Sequence, residues 1–124
     1  MILLTLRAYG LLLSFEFALS RRDFPRLYER VRGRAIRPRA SRPNACARAC
    51  DAVDWACIFY FKEMHCLQRS AAAVCLLRAL GVPANLVIGA QQLPFRAHAW
   101  VEVEGKVVND KPDVSHTYAV LDRC

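Results

Sequence analysis

The sequence has little of what would assign it to several common protein classes. Its 124 residues contain no internal repeat and no low-complexity tract, so a repeat array or a largely disordered chain is excluded. Its six cysteines include no C-x2-C pair, and their spacing matches no common structural zinc site. No basic region precedes the apolar N-terminus and no small-x-small cleavage site follows it, which disfavours a signal peptide. We therefore expect a reducing, cytoplasmic location, with neither a metal ion nor a cofactor.

The N-terminal segment, Met1 to Leu19, is strongly apolar but is interrupted by Arg7 and Glu16. A membrane span of this length would ordinarily carry few or no charges. We expect a buried or partner-facing helix instead. A membrane-surface role stays open, because arginines follow this segment immediately.

Arginine is concentrated in the next segment, where nine arginines lie between positions 21 and 42. Over the whole chain arginine outnumbers lysine fifteen to three, which indicates a compositional bias rather than a dedicated patch. No nucleic-acid-binding motif is present, so we expect no nucleic-acid partner. The segment is predicted to be a solvated connection, with an acidic partner surface or anionic lipid as the alternatives.

Apolar residues make up 55% of the chain, enough for one modest core in one small domain. We expect residues 1–43 to form the apolar helix and connecting segment, and residues 44–124 to form the core. A helix from Asn44 to about Met64 would place Cys46, Cys50 and Cys57 on one face, where they are predicted to pack in the core.

Cys66 begins the clearest helix pattern in the chain. Strong helix formers run from Cys66 to Leu80, and Gly81 and Pro83 then supply a stop signal. A thiol at a helix N-terminus meets the positive end of the macrodipole, which favours the thiolate, the nucleophilic form. A cysteine at such a position can also be an inert buried residue.

Two further polar residues follow in strand patterns. The segment 84–89 is predicted to be a buried strand, and the alternation from Arg96 to Glu104 predicts another that carries His98. A turn at Gly105 would return residues 107–110 as its antiparallel partner, ending in Asp110. Taken singly, His98 could be a half-buried side chain and Asp110 a turn residue. Together with Cys66 they follow the order nucleophile, base and orienting carboxylate of a thiol hydrolase.

The motifs around these residues resemble the transglutaminase-like cysteine peptidases of lasso-peptide gene clusters. The similar stretches are Cys66 to Ser70, Leu77 to Ala84, Val87 to Gly89, Phe95 to Glu102 and Gly105 to Asp110. The resemblance implies an α+β fold with a papain-like or transglutaminase-like core, in which N-terminal helices precede a small antiparallel sheet. It also implies the catalytic roles of Cys66 as nucleophile, His98 as base and Asp110 as orienter.

The resemblance further implies a function, the removal of the leader from a ribosomally made lasso-peptide precursor through a thioester. The expected partners are the precursor peptide with its leader, a separate leader-recognition protein and, as a further candidate, the macrolactam-forming cyclase. A non-catalytic peptide-binding scaffold of the same fold and an amidase acting on another amide are the alternative functions. Papain-type oxyanion holes use a glutamine upstream of the cysteine, and none precedes Cys66 in this sequence, so the backbone N–H of Cys66 is the predicted donor.

Overall fold

The structure is a computed structural model that describes residues 2–21, 23–38, 43–92 and 94–124. Within these residues three long helices and a short one precede a four-stranded antiparallel sheet, and a single helical turn lies between its last two strands. The elements are α1 Ile2–Ser20, α2 Phe24–Arg32, α3 Ala45–Ile58, α4 Cys66–Ala79, β1 Ala84–Gln91, β2 Arg96–Val103, β3 Lys106–Val107, α5 Val114–Thr117 and β4 Ala119–Arg123. The predicted α+β order is confirmed. The division of the chain at residue 43 stays a prediction.

Helix α1 buries one side and exposes the other. Its buried residues recur about one turn apart and face α3 and α4: Leu4, Ala8, Leu12, Phe15 and Ala18. Large apolar side chains remain exposed on its other side, among them Leu6 and Phe17. In the part of the chain that the structure describes, α1 is the helix with the length and composition to cross a membrane. Some of the apolar side chains of α1 are therefore already buried in the core of this fold.

Helix α3 ends at Ile58, earlier than the predicted end near Met64. The chain turns there, and the Tyr60 side chain becomes buried with its ring 5.3 Å from that of Tyr9 on α1. This contact with α1 is a tertiary reason for α3 to end at Ile58. The predicted core cysteines of α3 are only half-buried.

Helix α4 is the central element, packed between α1, α3 and the sheet. The predicted stop is confirmed: Gly81 has a φ of 86°, and Val82 N–H donates to the Leu77 carbonyl across the helix end. Near that end the buried Arg78 donates hydrogen bonds to the carbonyl oxygens of Val31, Arg34 and Ala84. One guanidinium thus ties α4 to the end of α2 and to the start of β1.

The sheet has the strand order β3-β2-β1-β4. In the pairing of β1 with β2, Ala84 lies opposite Val103 and Gly89 lies opposite His98. The predicted turn is confirmed as a two-residue loop, Glu104 and Gly105, both with positive φ as a type I′ hairpin requires. Its return strand β3 is shorter than predicted, because it ends at Val107 rather than Asp110.

Candidate active site

Cys66 is the first residue of α4 and is half-buried. The preceding residue, His65, is extended, and its side chain does not cap the helix. The backbone N–H groups of the first turn therefore remain available to a negative charge, either on the thiolate or on an oxyanion. Burial raises the pKa of the other five thiols, those of Cys46, Cys50, Cys57, Cys75 and Cys124.

His98 and Asp110 are brought together. The ring nitrogen Nε2 of His98 lies 2.6 Å from Oδ2 of Asp110. An ionised carboxylate can only accept a hydrogen bond, so Nε2 of a neutral ring carries the proton and Nδ1 keeps its lone pair. The bond therefore leaves Nδ1 free to take a proton from a nucleophile.

The carboxylate of Asp110 is kept ionised by its surroundings. Partial burial by itself would raise its pKa, but the hydrogen bonds from His98 and from the backbone N–H of Lys111 outweigh burial and lower the pKa below the ordinary value. Asp113, the next acidic residue along the chain, is exposed and precedes α5. The structure thus gives His98 one carboxylate partner, Asp110.

Aromatic rings surround the histidine. The His98 ring lies 5.1 Å from the ring of Tyr118 and 6.0 Å from that of Trp100, which is fully buried. The ring of Trp100 occupies the space above Gly89, where an added Cβ would come within 2.7 Å of it. Trp100 is in turn held by a hydrogen bond from its Nε1 to the buried carboxylate of Glu102. Neither Gly89 nor Tyr118 was predicted as a site residue, because their roles depend on contacts between strands.

The route by which Asp110 reaches His98 depends on the early end of β3. The ladder pairs Val107 with Glu102 and Lys106 with Val103. Continued in that register, it would place Asp110 opposite Ala99, on the face of the sheet away from His98. Instead the chain leaves the ladder after Val108, and the Asp110 carboxylate reaches His98.

Two hydrogen bonds from α4 to the strands show where Cys66 lies relative to the sheet. Ser70 Oγ donates to the Ala99 carbonyl at 3.1 Å, and Arg78 Nε donates to the carbonyl of Ala84, the residue opposite Val103. Helix α4 therefore runs along β2 in the same direction. Cys66 precedes Ser70 by one turn, about 6 Å of helix, and so lies at the end of the sheet where β2 begins and His98 is found. Among the described residues, no hydrogen bond joins the Cys66 thiol to His98.

A groove opens beside Asp110, between α3 and the loop after β3. Its volume is about 610 Å³. The residues around it include Cys46, Cys50, Asp54, Arg69 and Val108. Within the described ranges, no three histidine, cysteine or acidic side chains are grouped as metal ligands would be. The groove is large enough to take side chains of an extended peptide.

Comparison with known proteins adds a family. A family model described as the transglutaminase-like superfamily matches residues 11–123. The chain is also similar to the microcin J25-processing protein McjB of Escherichia coli, with 41% identity over 59 residues. That alignment covers 48% of this chain and 28% of the relative, so it spans less than a third of the relative's length. No solved structure matches the chain significantly.

Proposed function

Because the chain belongs to the transglutaminase-like superfamily, we propose that it is a cysteine peptidase that removes the leader from a lasso-peptide precursor. The observation that carries the proposal is the hydrogen bond between His98 and Asp110, at the end of the sheet where α4 begins. The similarity to a microcin-processing protein supports the choice of substrate. The proposed location is the cytoplasm.

In the proposed reaction, Nδ1 of His98 takes the proton of the Cys66 thiol. The thiolate then attacks the backbone carbonyl carbon of the last leader residue. The resulting oxyanion is stabilised by the backbone N–H groups at the start of α4. The carbon–nitrogen bond then breaks, and His98 gives its proton to the departing amine of the core peptide. This step leaves the leader attached to Cys66 as a thioester.

Water completes the cycle. His98 takes a proton from the water that attacks the thioester, and collapse of the second oxyanion releases the leader carboxylate and the thiol. Asp110 holds the ring with Nε2 protonated and stabilises the imidazolium when it forms. The products are a leader with a free carboxylate and a core peptide with a free amine.

The recognition partner is proposed to bind away from this site. Exposed apolar side chains of α1 and of the end of α3, which we call the outer apolar surface, form a contiguous area: Ile2, Leu6, Trp55 and Phe59. Large exposed apolar patches on soluble proteins commonly mark interaction sites, and aromatic residues dominate binding energy there. We propose that the separate leader-recognition protein docks on this surface and delivers the precursor to Cys66.

Leader release by mass spectrometry tests the proposal. The chain is incubated with a candidate precursor and the recognition protein, as wild type, Cys66→Ala and His98→Ala. We expect release of the leader by the wild type and none by either variant. Cys57→Ala removes a half-buried thiol on α3 and is the matched control, for which we expect wild-type release.

Other outcomes would select another function. Tight binding of the precursor without cleavage would favour a peptide-binding scaffold. Hydrolysis of simple amides that depends on Cys66, without leader release, would favour an amidase. Leader release by Cys66→Ala at the wild-type rate would end the assignment of the nucleophile.

A further inference from the structure

We propose that Asn109 and Ser70 are positioning residues that hold Cys66, His98 and Asp110 in register. This inference rests on the proposed function, since it assigns these two residues a role in the same reaction. Neither side chain contacts the reacting atoms. Their effect would pass through the three catalytic residues.

The β2–β3 ladder ends with an exchange of one hydrogen-bond acceptor. Val108 N–H still donates to the Val101 carbonyl, at 3.0 Å, as a continued antiparallel pair would require. The reciprocal bond is replaced, because the Val101 N–H donates to the side-chain Oδ1 of Asn109 at 2.8 Å. The Asn109 carboxamide thus supplies the acceptor that the backbone of a longer strand would have supplied.

The Ala99 carbonyl on β2 also has a side-chain partner in place of a strand. The Ala99 carbonyl would accept from the backbone of the residue opposite it, Asp110, if the ladder continued. It accepts instead from Ser70 Oγ at 3.1 Å. Nδ2 of Asn109 donates to the same hydroxyl at 3.0 Å. Two side chains, bonded to each other, therefore satisfy the Val101 N–H and the Ala99 carbonyl, two groups that a longer β3 would have paired.

The members of this network lie next to the three proposed catalytic residues. Ser70 is on α4 one turn after Cys66 and is only 1% exposed. Ala99 adjoins His98, and Asn109 adjoins Asp110. The network therefore ties together the helix of the nucleophile, the strand of the base and the loop of the orienting carboxylate. A carboxylate released from it could return to the Ala99 face, away from His98.

Kinetics of leader release test the network. We expect Asn109→Ala to lower kcat about 10²-fold, as small misplacements of catalytic groups do, with little change in KM. Ser70→Ala is also expected to lower kcat. The double variant should lose no more than the more damaging single one, because both act through one network.

Conservative variants separate positioning from bulk stability. Asn109→Asp keeps an acceptor for the Val101 N–H but loses the donor to Ser70, so it should restore part of kcat. Ser70→Thr keeps the hydroxyl and should exceed Ser70→Ala. Arg78→Ala is the control at the far end of α4, where a buried side chain also binds backbone carbonyls. It should lower Tm and leave kcat unchanged.

A second readout does not depend on substrate. Nitrogen-15 NMR of the three histidines, with His98 assigned by His98→Gln, reports which ring nitrogen carries the proton. We expect the Nε2–H tautomer of His98 in the wild type and a mixture of tautomers in Asn109→Ala. An unchanged tautomer and unchanged kcat in Asn109→Ala, with a lowered Tm, would overturn the inference and leave the proposed function standing. If the wild type releases no leader, the proposed function fails, and the tautomer alone decides whether the network positions Asp110.

Discussion

Two regions of the molecule differ in how they use polar and apolar side chains. Around α4 and β2, buried polar residues are engaged by partners: Ser70, Arg78 and Glu102 each take part in hydrogen bonds. On the outer apolar surface the reverse holds, since Leu6 is 63% exposed and Phe59 is 67% exposed. Buried hydrogen-bonded groups specify orientation, whereas exposed apolar groups gain stability only when something covers them. The first region contains the proposed catalytic residues, and the second is the proposed docking surface.

The largest expected effect on stability is in the first region. Arg78→Ala would leave three backbone carbonyls without their guanidinium donor, so we expect a loss of about 3 kcal/mol in the free energy of unfolding. Urea denaturation followed by circular dichroism measures it. Arg7→Ala, an exposed arginine on α1, is the control and should leave Tm unchanged. Equal losses of stability in Arg78→Ala and Arg7→Ala would show that the buried hydrogen bonds of Arg78 contribute no more than an exposed side chain does.

Replacing glycine by alanine at two positions should change the stability in opposite directions. Gly89→Ala would bring a Cβ within 2.7 Å of the Trp100 ring and 2.9 Å of the Tyr118 Cβ, so we expect a loss of about 2 kcal/mol from overpacking. Gly10→Ala lies on α1 with no atom within 4 Å of the added Cβ, so it should stabilise by about 0.5–1 kcal/mol. Thermal unfolding of both variants checks the signs. A stable Gly89→Ala would show that Trp100 can move away from His98.

A smaller effect on stability is expected at the outer apolar surface. Leu6→Ser should change the free energy of unfolding by less than about 0.5 kcal/mol, because the side chain is already exposed. Stimulation of leader release by the recognition protein should nevertheless fall sharply. Leu121→Ser is the matched control, because Leu121 on β4 is 66% exposed against 63% for Leu6. Full stimulation of Leu6→Ser, with loss of binding to anionic vesicles, would assign the surface to a membrane instead.

The smallest expected effect is the contribution of Asp110 to acid stability. Its pKa is lowered in the folded protein, so its contribution is present above the unfolded value of about 3.9. It is lost as pH falls through the lower folded pKa. Asp110→Asn removes this contribution, so we expect a small loss in the free energy of unfolding near neutral pH, and the difference from the wild type should shrink as pH falls through the folded pKa. A profile that keeps the wild-type acid slope would contradict this.

Much of the fold follows from local patterns. Helix α4 was predictable because its helix formers and its glycine stop act within one segment, and β1 and β2 were predictable from apolar content and alternation. The hairpin loop was predictable because Gly105 tolerates positive φ. Ends set by distant contacts were not predictable, as at Ile58, where burial of Tyr60 against α1 accompanies the end of α3.

The sequence by itself determined the order of the elements and the residue types available for a thiol site, Cys66, His98 and Asp110. Only the tertiary structure decided that His98 and Asp110 meet, because a ladder in the observed register would have placed them on opposite faces of the sheet. It also decided the parts played by Ser70, Asn109 and Gly89, whose roles depend on elements far apart in the chain. Local propensity acts within a few residues, but strand register and buried hydrogen bonds depend on which distant groups come within about 3 Å of one another.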